Sequence, residues 1–186
     1  MELLKRFIYC FLLLVSSSCS FVQNPIESSK EFLFDRDLRE IKVYFTKSKD
    51  PENIIFIPVA RKIPKEESVS DSSLRELLLG PTKKEELRGV MTEIPIATRL
   101  IKSEESEDEI LADISGQYLS GGGSATMQMR YLQLYKTLKN IAPDKKIYLL
   151  VDGKSLKAIG GEGVEITQPL SKISDYTKKY EKTEQP

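Results

Sequence analysis

The chain has 186 residues, 40% of them apolar and 30% charged, enough for one globular domain with flanking segments but crowded for two. Lysine plus arginine and aspartate plus glutamate each total 28, so no global basic field gathers nucleic acid, and no nucleic-acid partner is expected. Histidine is absent, which removes the commonest general base near neutral pH and the commonest ligand of catalytic transition metals.

The chain opens "MELLKRFIYCFLLLVSSSC": Lys5 and Arg6, an apolar run over residues 7–15, then small residues and Cys19. Basic, apolar, small is the order of a secretory signal peptide, expected to span residues 1–18. The run is far short of the ~20 residues that cross a bilayer as a stable helix. Both cysteines, Cys10 and Cys19, lie here, so neither a zinc cluster nor a core disulfide is available to the rest of the chain. Cys19 resembles the cysteine of a bacterial lipobox, with Ser16 where the usual leucine stands. Two processings remain open. Lipidation, with palmitate as an expected acyl group, makes Cys19 an anchored N-terminus; ordinary signal-peptidase cleavage at the same bond leaves a free thiol. Lipidation is the expectation, because an unpaired cysteine at an exported terminus has no other evident use. Either cut removes Glu2, Lys5 and Arg6, so the mature chain stays near neutral.

Residues 19–39 show no sustained period and read as a tether, with "FLF" at 32–34 expected to dock on the folded body. A domain is expected over 40–171. "IKVYFTK" at 41–47 alternates apolar and polar as a half-buried strand does. "NIIFIPVARKI" at 53–63 is a denser apolar strand, expected to be central, with Pro58 marking a bulge or an edge side. "SSLRELLLG" forms a short helix capped by Ser70 or Ser72 and stopped by Gly80-Pro81. Residues 98–115 read as two strands joined by a charged turn. Met127, Tyr131, Leu134, Leu138 and Ile141 then space an amphipathic helix over 125–142, and "KIYLLVDGK" is a buried strand ending in an Asp152-Gly153 turn. "GVEITQPL" adds a short extension, and 172–186 is a polar tail. The order β-β-α-β-β-α-β predicts an α+β fold, a compact sandwich of two helices on a mixed or antiparallel sheet.

Chemical motifs are tested and fail. "SGGGSA" at 120–125 lacks the Lys-Ser/Thr pair of a Walker loop, and it is expected to follow a hairpin strand rather than open a βαβ unit. It reads as a crossover with Ser124 as helix cap. The acidic run Glu104, Glu105, Glu107, Asp108 and Glu109 lacks calcium-loop spacing and reads as a solvated turn, as does "GGEG" at 160–163. No G-x-S-x-G elbow or S-x-x-K pattern occurs. Tyr131, Tyr135 and Tyr148 read as core and rim rather than a base-stacking platform. The expectation is therefore no enzyme, no metal and no cofactor, with an unrecognised hydrolase using lysine or a carboxylate pair as the remaining alternative, for which no pair identifies itself.

Several stretches together, "VYF" at Val43, "IPVARKIP" from Ile57, "LRELLLGPT" from Leu74, "IP" and "ATRL" from Ile94, "ADIS" from Ala112, the glycine loop, and "VDGK" followed by "QPLS", resemble the GerMN domain, a sporulation and spore-germination module of exported bacterial lipoproteins. The resemblance runs from about Ile41 to Ser171 and implies a compact fold similar to ring-building motifs of envelope machines. It marks Gly80, Pro81, Pro95, Gly121, Gly122, Asp152, Gly153 and Pro169 as structural positions, supplies no catalytic residues, and implies a noncatalytic interaction module outside the cytoplasmic membrane. Envelope proteins, or alternatively peptidoglycan, are the implied partners, with the membrane reached through Cys19. Germination-type relatives can carry tandem copies or an added propeller; this chain shows one copy.

Overall fold

The computed structural model describes residues 37–50, 53–159 and 164–171. The signal segment, Cys19, the 32–34 aromatic cluster, the 160–163 glycines and the polar tail lie outside the described residues. Strand β1 (Leu38–Asp50) pairs antiparallel with β2 (Asn53–Pro64) along nearly its whole length, and its other side meets β3 (Val90–Met91) at Thr46 and Lys47. Ile41, Val43 and Phe45 are buried, as the alternation requires.

The strand expected to be central is the edge: the order is β2-β1-β3. The backbone of Tyr44 explains why Pro58 is tolerated opposite it. The Tyr44 N–H donates to Thr137 Oγ1 at 2.9 Å and its carbonyl accepts from Gln133 Nε2 at 3.3 Å, so both point away from β2. Tyr44 and Pro58 thus form a pair without mutual hydrogen bonds, and the N–H that proline lacks faces the open edge.

A second sheet has the order β4-β5-β6-β7, built from β4 (Leu100–Glu105), β5 (Glu109–Ile114), β6 (Lys146–Val151) and β7 (Lys154–Ser155). β5 and β6 run parallel; the other pairings are antiparallel. A two-stranded piece, β8 (Ala158–Ile159) with β9 (Val164–Glu165), completes the strands. The α+β class with mixed and antiparallel pairing is as the sequence predicts. Its strands, however, are divided into three sheets, which share one buried cluster with helices α1 (Val69–Leu79) and α3 (Ser124–Ile141). Helix α2 (Lys83–Glu86) is a single turn between α1 and β3.

Local details differ from the sequence reading for physical reasons. The cap of α1 is Ser68, whose hydroxyl accepts from the Asp71 N–H at 3.4 Å; Ser70 and Ser72 lie inside the first turn and donate instead to Glu105 and Glu67. The cap of α3 is Gly123, with no side-chain cap bond, and Ser124 is already helical. Because β5 and β6 are parallel, α3 is the crossover of a βαβ unit, so that ground for rejecting a dinucleotide fingerprint falls. The sequence itself still rejects it: a G-x-G-x-x-G frame begun at Gly121 meets Thr126 where its last glycine belongs. Nor is α3 buried on one stripe alone. Residues 127–134 are all buried, and two of the polar ones, Gln133 and Arg130, bond neighbouring backbone.

Gly121 and Gly122 both have left-handed backbone, φ 63 and 81. A Cβ at Gly121 meets nothing within 4 Å, whereas one at Gly122 lies 2.7 Å from Thr126 Cγ2 and 3.1 Å from Arg130 Nη2. Gly121→Ala is therefore expected to cost about 1 kcal/mol, from the backbone alone. Gly122→Ala adds a clash and should cost about 2–3 kcal/mol, read as a larger drop in the urea midpoint.

Candidate interaction groove

The residues marked at the sequence level do not converge on one site. Asp152 (φ 49) and Gly153 (φ 75) form the β6–β7 turn, where the Gly153 N–H donates to Asp113 Oδ1 at 3.0 Å and Asp152 Oδ1 accepts from the Gly116 N–H at 3.0 Å. Pro169 follows a cis bond from Gln168, whose side-chain amide bonds both the N–H and the carbonyl of Leu149 on β6, at 3.2 and 3.0 Å. Gln168 thereby stands in for a neighbouring strand, which gives the "QPL" stretch its place. Gly121 and Gly122 lie ahead of α3.

Gly80 and Pro81 do line a common feature, and Pro95 stands between two residues that line it. Gly80 ends α1 with φ 79, its N–H donating to the Leu77 carbonyl, and the redirected chain opens a groove of about 440 Å³ between the end of α1, α2 and β3. Gly80 and Pro81 line it, as do Ile94 and Ile96 on either side of Pro95. Leu78, Val90 and Ile94 are its buried apolar members; Leu79 (71% exposed), Met91 and Ile96 (89%) stand at its lip.

One wall is pinned by Arg61, reaching over from β2. Its guanidinium holds both Glu85 oxygens, at 2.7 and 2.8 Å, pairs with Glu76 at 3.2 Å, and sits 5.5 Å from the centre of the Phe45 ring. Glu85 also closes a capping box with Thr82 at the start of α2. The Arg61 hydrogen bonds foremost, then the Thr82 contacts, pull the Glu85 carboxyl down from 4.5 to about 2 against the opposing effect of burial.

Because the folded value is the lower one, this stabilisation is complete above about pH 4.5 and is lost as pH falls towards about 2. With the Glu85 side chain 19% exposed, a contribution of about 1–3 kcal/mol is expected. Urea titrations of wild type and Glu85→Gln should accordingly differ at neutral pH and converge near the acid end of that window.

The other wall is held from α3. Gln133, fully buried, accepts from the Glu93 N–H at 2.9 Å and donates to Thr92 Oγ1 at 3.1 Å, besides its bond to Tyr44. Arg130, 4% exposed, donates through Nε to the Glu93 carbonyl at 2.6 Å and through Nη1 to the Tyr118 carbonyl at 2.8 Å. Burial lowers the Arg130 pKa, partly offset by Tyr118 and Glu93. Sequence reasoning missed Arg61, Gln133 and Arg130. The available signal was polar residues inside α3 among its apolar positions, and an arginine inside a dense apolar strand.

The acidic run is a solvated hairpin turn, with Glu104, Glu105, Glu107, Asp108 and Glu109 all exposed, and Glu105 also has partners. Glu105 accepts from Ser70 at 2.6 Å and from Lys145 at 2.7 Å; burial alone would raise its pKa, but these partners bring it below the ordinary value. Tyr131 is core, with its hydroxyl donating to the Ser171 carbonyl at 2.5 Å and its ring stacked on Tyr135, while Tyr135 and Tyr148 are half-buried. Burial pushes the Tyr131 pKa up to about 12. Among the described residues, no cluster of three or more carboxylates or cysteines is placed to hold a metal. Among them, too, no helix is long and apolar enough to cross a membrane.

The family model Germane, described as sporulation and spore germination, matches residues 42–157. The chain belongs to this family. The Germane match takes in both walls of the groove and stops ahead of "QPL". Among solved structures, the first GerMN domain of the sporulation protein GerM from Bacillus subtilis is 19% identical, with a TM-score of 0.53 over 72% of this chain and 98% of that one. The tandem GerMN domains of the same protein are 20% identical with the same TM-score; this chain spans 46% of them. A chain from Clostridium perfringens, described as a predicted lipoprotein, is 21% identical over 67% of this chain and 81% of that one, with a TM-score of 0.45. No curated protein matches the chain. At these identities the two GerM structures speak for the Germane fold and for nothing finer.

Proposed function

We propose that this chain is a noncatalytic lipoprotein of the cell envelope whose single Germane domain, over about residues 40–171, serves as a protein-interaction and assembly module. The observation that carries the reading is the groove at the "LLLGPT" and "IP" stretches. Leu79, Met91 and Ile96 stay exposed around it while half-buried Arg61 fixes one wall and buried Gln133 and Arg130 the other. A rigid rim that presents apolar side chains to solvent is what a protein-docking site requires, and folding alone gains nothing from exposing them. Family membership and the signal-like N-terminus ending at Cys19 support an extracytoplasmic, membrane-anchored location.

In-cell crosslinking of the native protein followed by mass spectrometry tests the proposal. Specific envelope proteins are expected among the products. Retention on purified sacculi with no protein product would overturn it in favour of a peptidoglycan-binding module.

A further inference from the structure

On the reading that the chain is an interaction module, the groove itself describes its occupant. The charged residues that line it are Glu86 and Glu93, both acidic; Lys84 and Arg88, exposed on the same segment, stand outside the lining. Glu86 shares a 3.0 Å pair with Lys83, whose side chain is 84% exposed, the kind of surface pair that exchanges at little cost. Glu93 has no ion pair among the described residues, since Arg130 reaches its backbone carbonyl by hydrogen bond and acts on its carboxylate only through space.

A second copy docked symmetrically through this groove would set these carboxylates against themselves, which like-charge repulsion opposes. Strand addition is also disfavoured. Pro58 interrupts the β2 edge, and the β4 edge is irregular in register between Leu100 and Lys102. A volume of about 440 Å³ suits a few inserted side chains better than a flat domain face.

We infer that the groove takes a short segment of another protein bearing two or three apolar side chains flanked by lysine or arginine. The apolar groups enter between Leu79, Met91 and Ile96, and the cations meet Glu93 and Glu86.

The test places a photo-crosslinking amino acid at position 79 of the full chain in cells, sequences the captured segment, and titrates that segment as a synthetic peptide against the purified protein. The expected segment is apolar with basic flanks. Its binding should weaken about ten-fold in Ile96→Ser and about ten-fold in Glu93→Lys. A peptide with its lysines replaced by glutamate should bind wild type weakly and Glu93→Lys better. Capture of a segment without basic residues, binding indifferent to Glu93→Lys, or capture of a second copy alone overturns this inference and leaves the interaction reading standing. The absence of any protein crosslink, with retention on sacculi, overturns both.

Discussion

Gln133→Leu is expected to lower stability by about 2–4 kcal/mol, seen as a reduced urea midpoint with an unchanged slope. The substitution keeps the volume and the helix, so its cost comes from the groups left behind. The Tyr44 carbonyl and the Glu93 N–H both lose a partner, and on that side of β1 the pairing with β3 is confined to Thr46 and Lys47, so no strand replaces it at Tyr44. Each stranded group carries a penalty of about 1–3 kcal/mol. Gln128, also buried on α3, makes the internal control. Its Oε1 has no hydrogen-bond partner among the described residues, so Gln128→Leu is expected to be near neutral or stabilising. Equal losses in both variants would show that the Gln133 bonds do not hold the groove wall to the sheet. Hydrogen exchange at Thr92 and Glu93 should quicken in Gln133→Leu and stay slow in Gln128→Leu, which separates loosening of the wall from general loss of stability.

Cys19→Ala is expected to abolish membrane association and the incorporation of labelled palmitate, with the protein recovered in the soluble extracytoplasmic fraction. The effect should be all-or-none, because each buried methylene contributes about 0.8 kcal/mol and stable anchoring needs more than one acyl chain. No cysteine occurs after position 19, so the urea midpoint of the mature domain should not change. Fractionation beside fatty-acid labelling decides between the two processings. If wild type and variant are equally soluble and the wild-type thiol reacts freely, ordinary signal-peptidase cleavage is correct and the lipoprotein reading fails.

Much of the architecture was legible because it is local. The alternation of Ile41, Val43 and Phe45 specifies β1, the spacing from Met127 to Leu138 specifies α3, and Gly80 and Asp152-Gly153 mark a helix end and a hairpin by requiring left-handed backbone. Apolar density misled at β2. A run of isoleucines does not distinguish a central strand from an edge whose exposed side is protected by Pro58. Pairing depends on which neighbour supplies hydrogen bonds, and at Tyr44 that neighbour is a helix.

The same division holds for the groove. By itself the sequence determined the family, the α+β class and the turn at Gly80-Pro81, since periodicity, turn chemistry and motif order all reside in consecutive residues. Only the tertiary structure decided that Leu79, Met91 and Ile96 share one rim, with Arg61 holding one wall and Gln133 and Arg130 the other. These side chains lie up to 89 residues from the atoms they bond, and no local pattern encodes a partner at that separation.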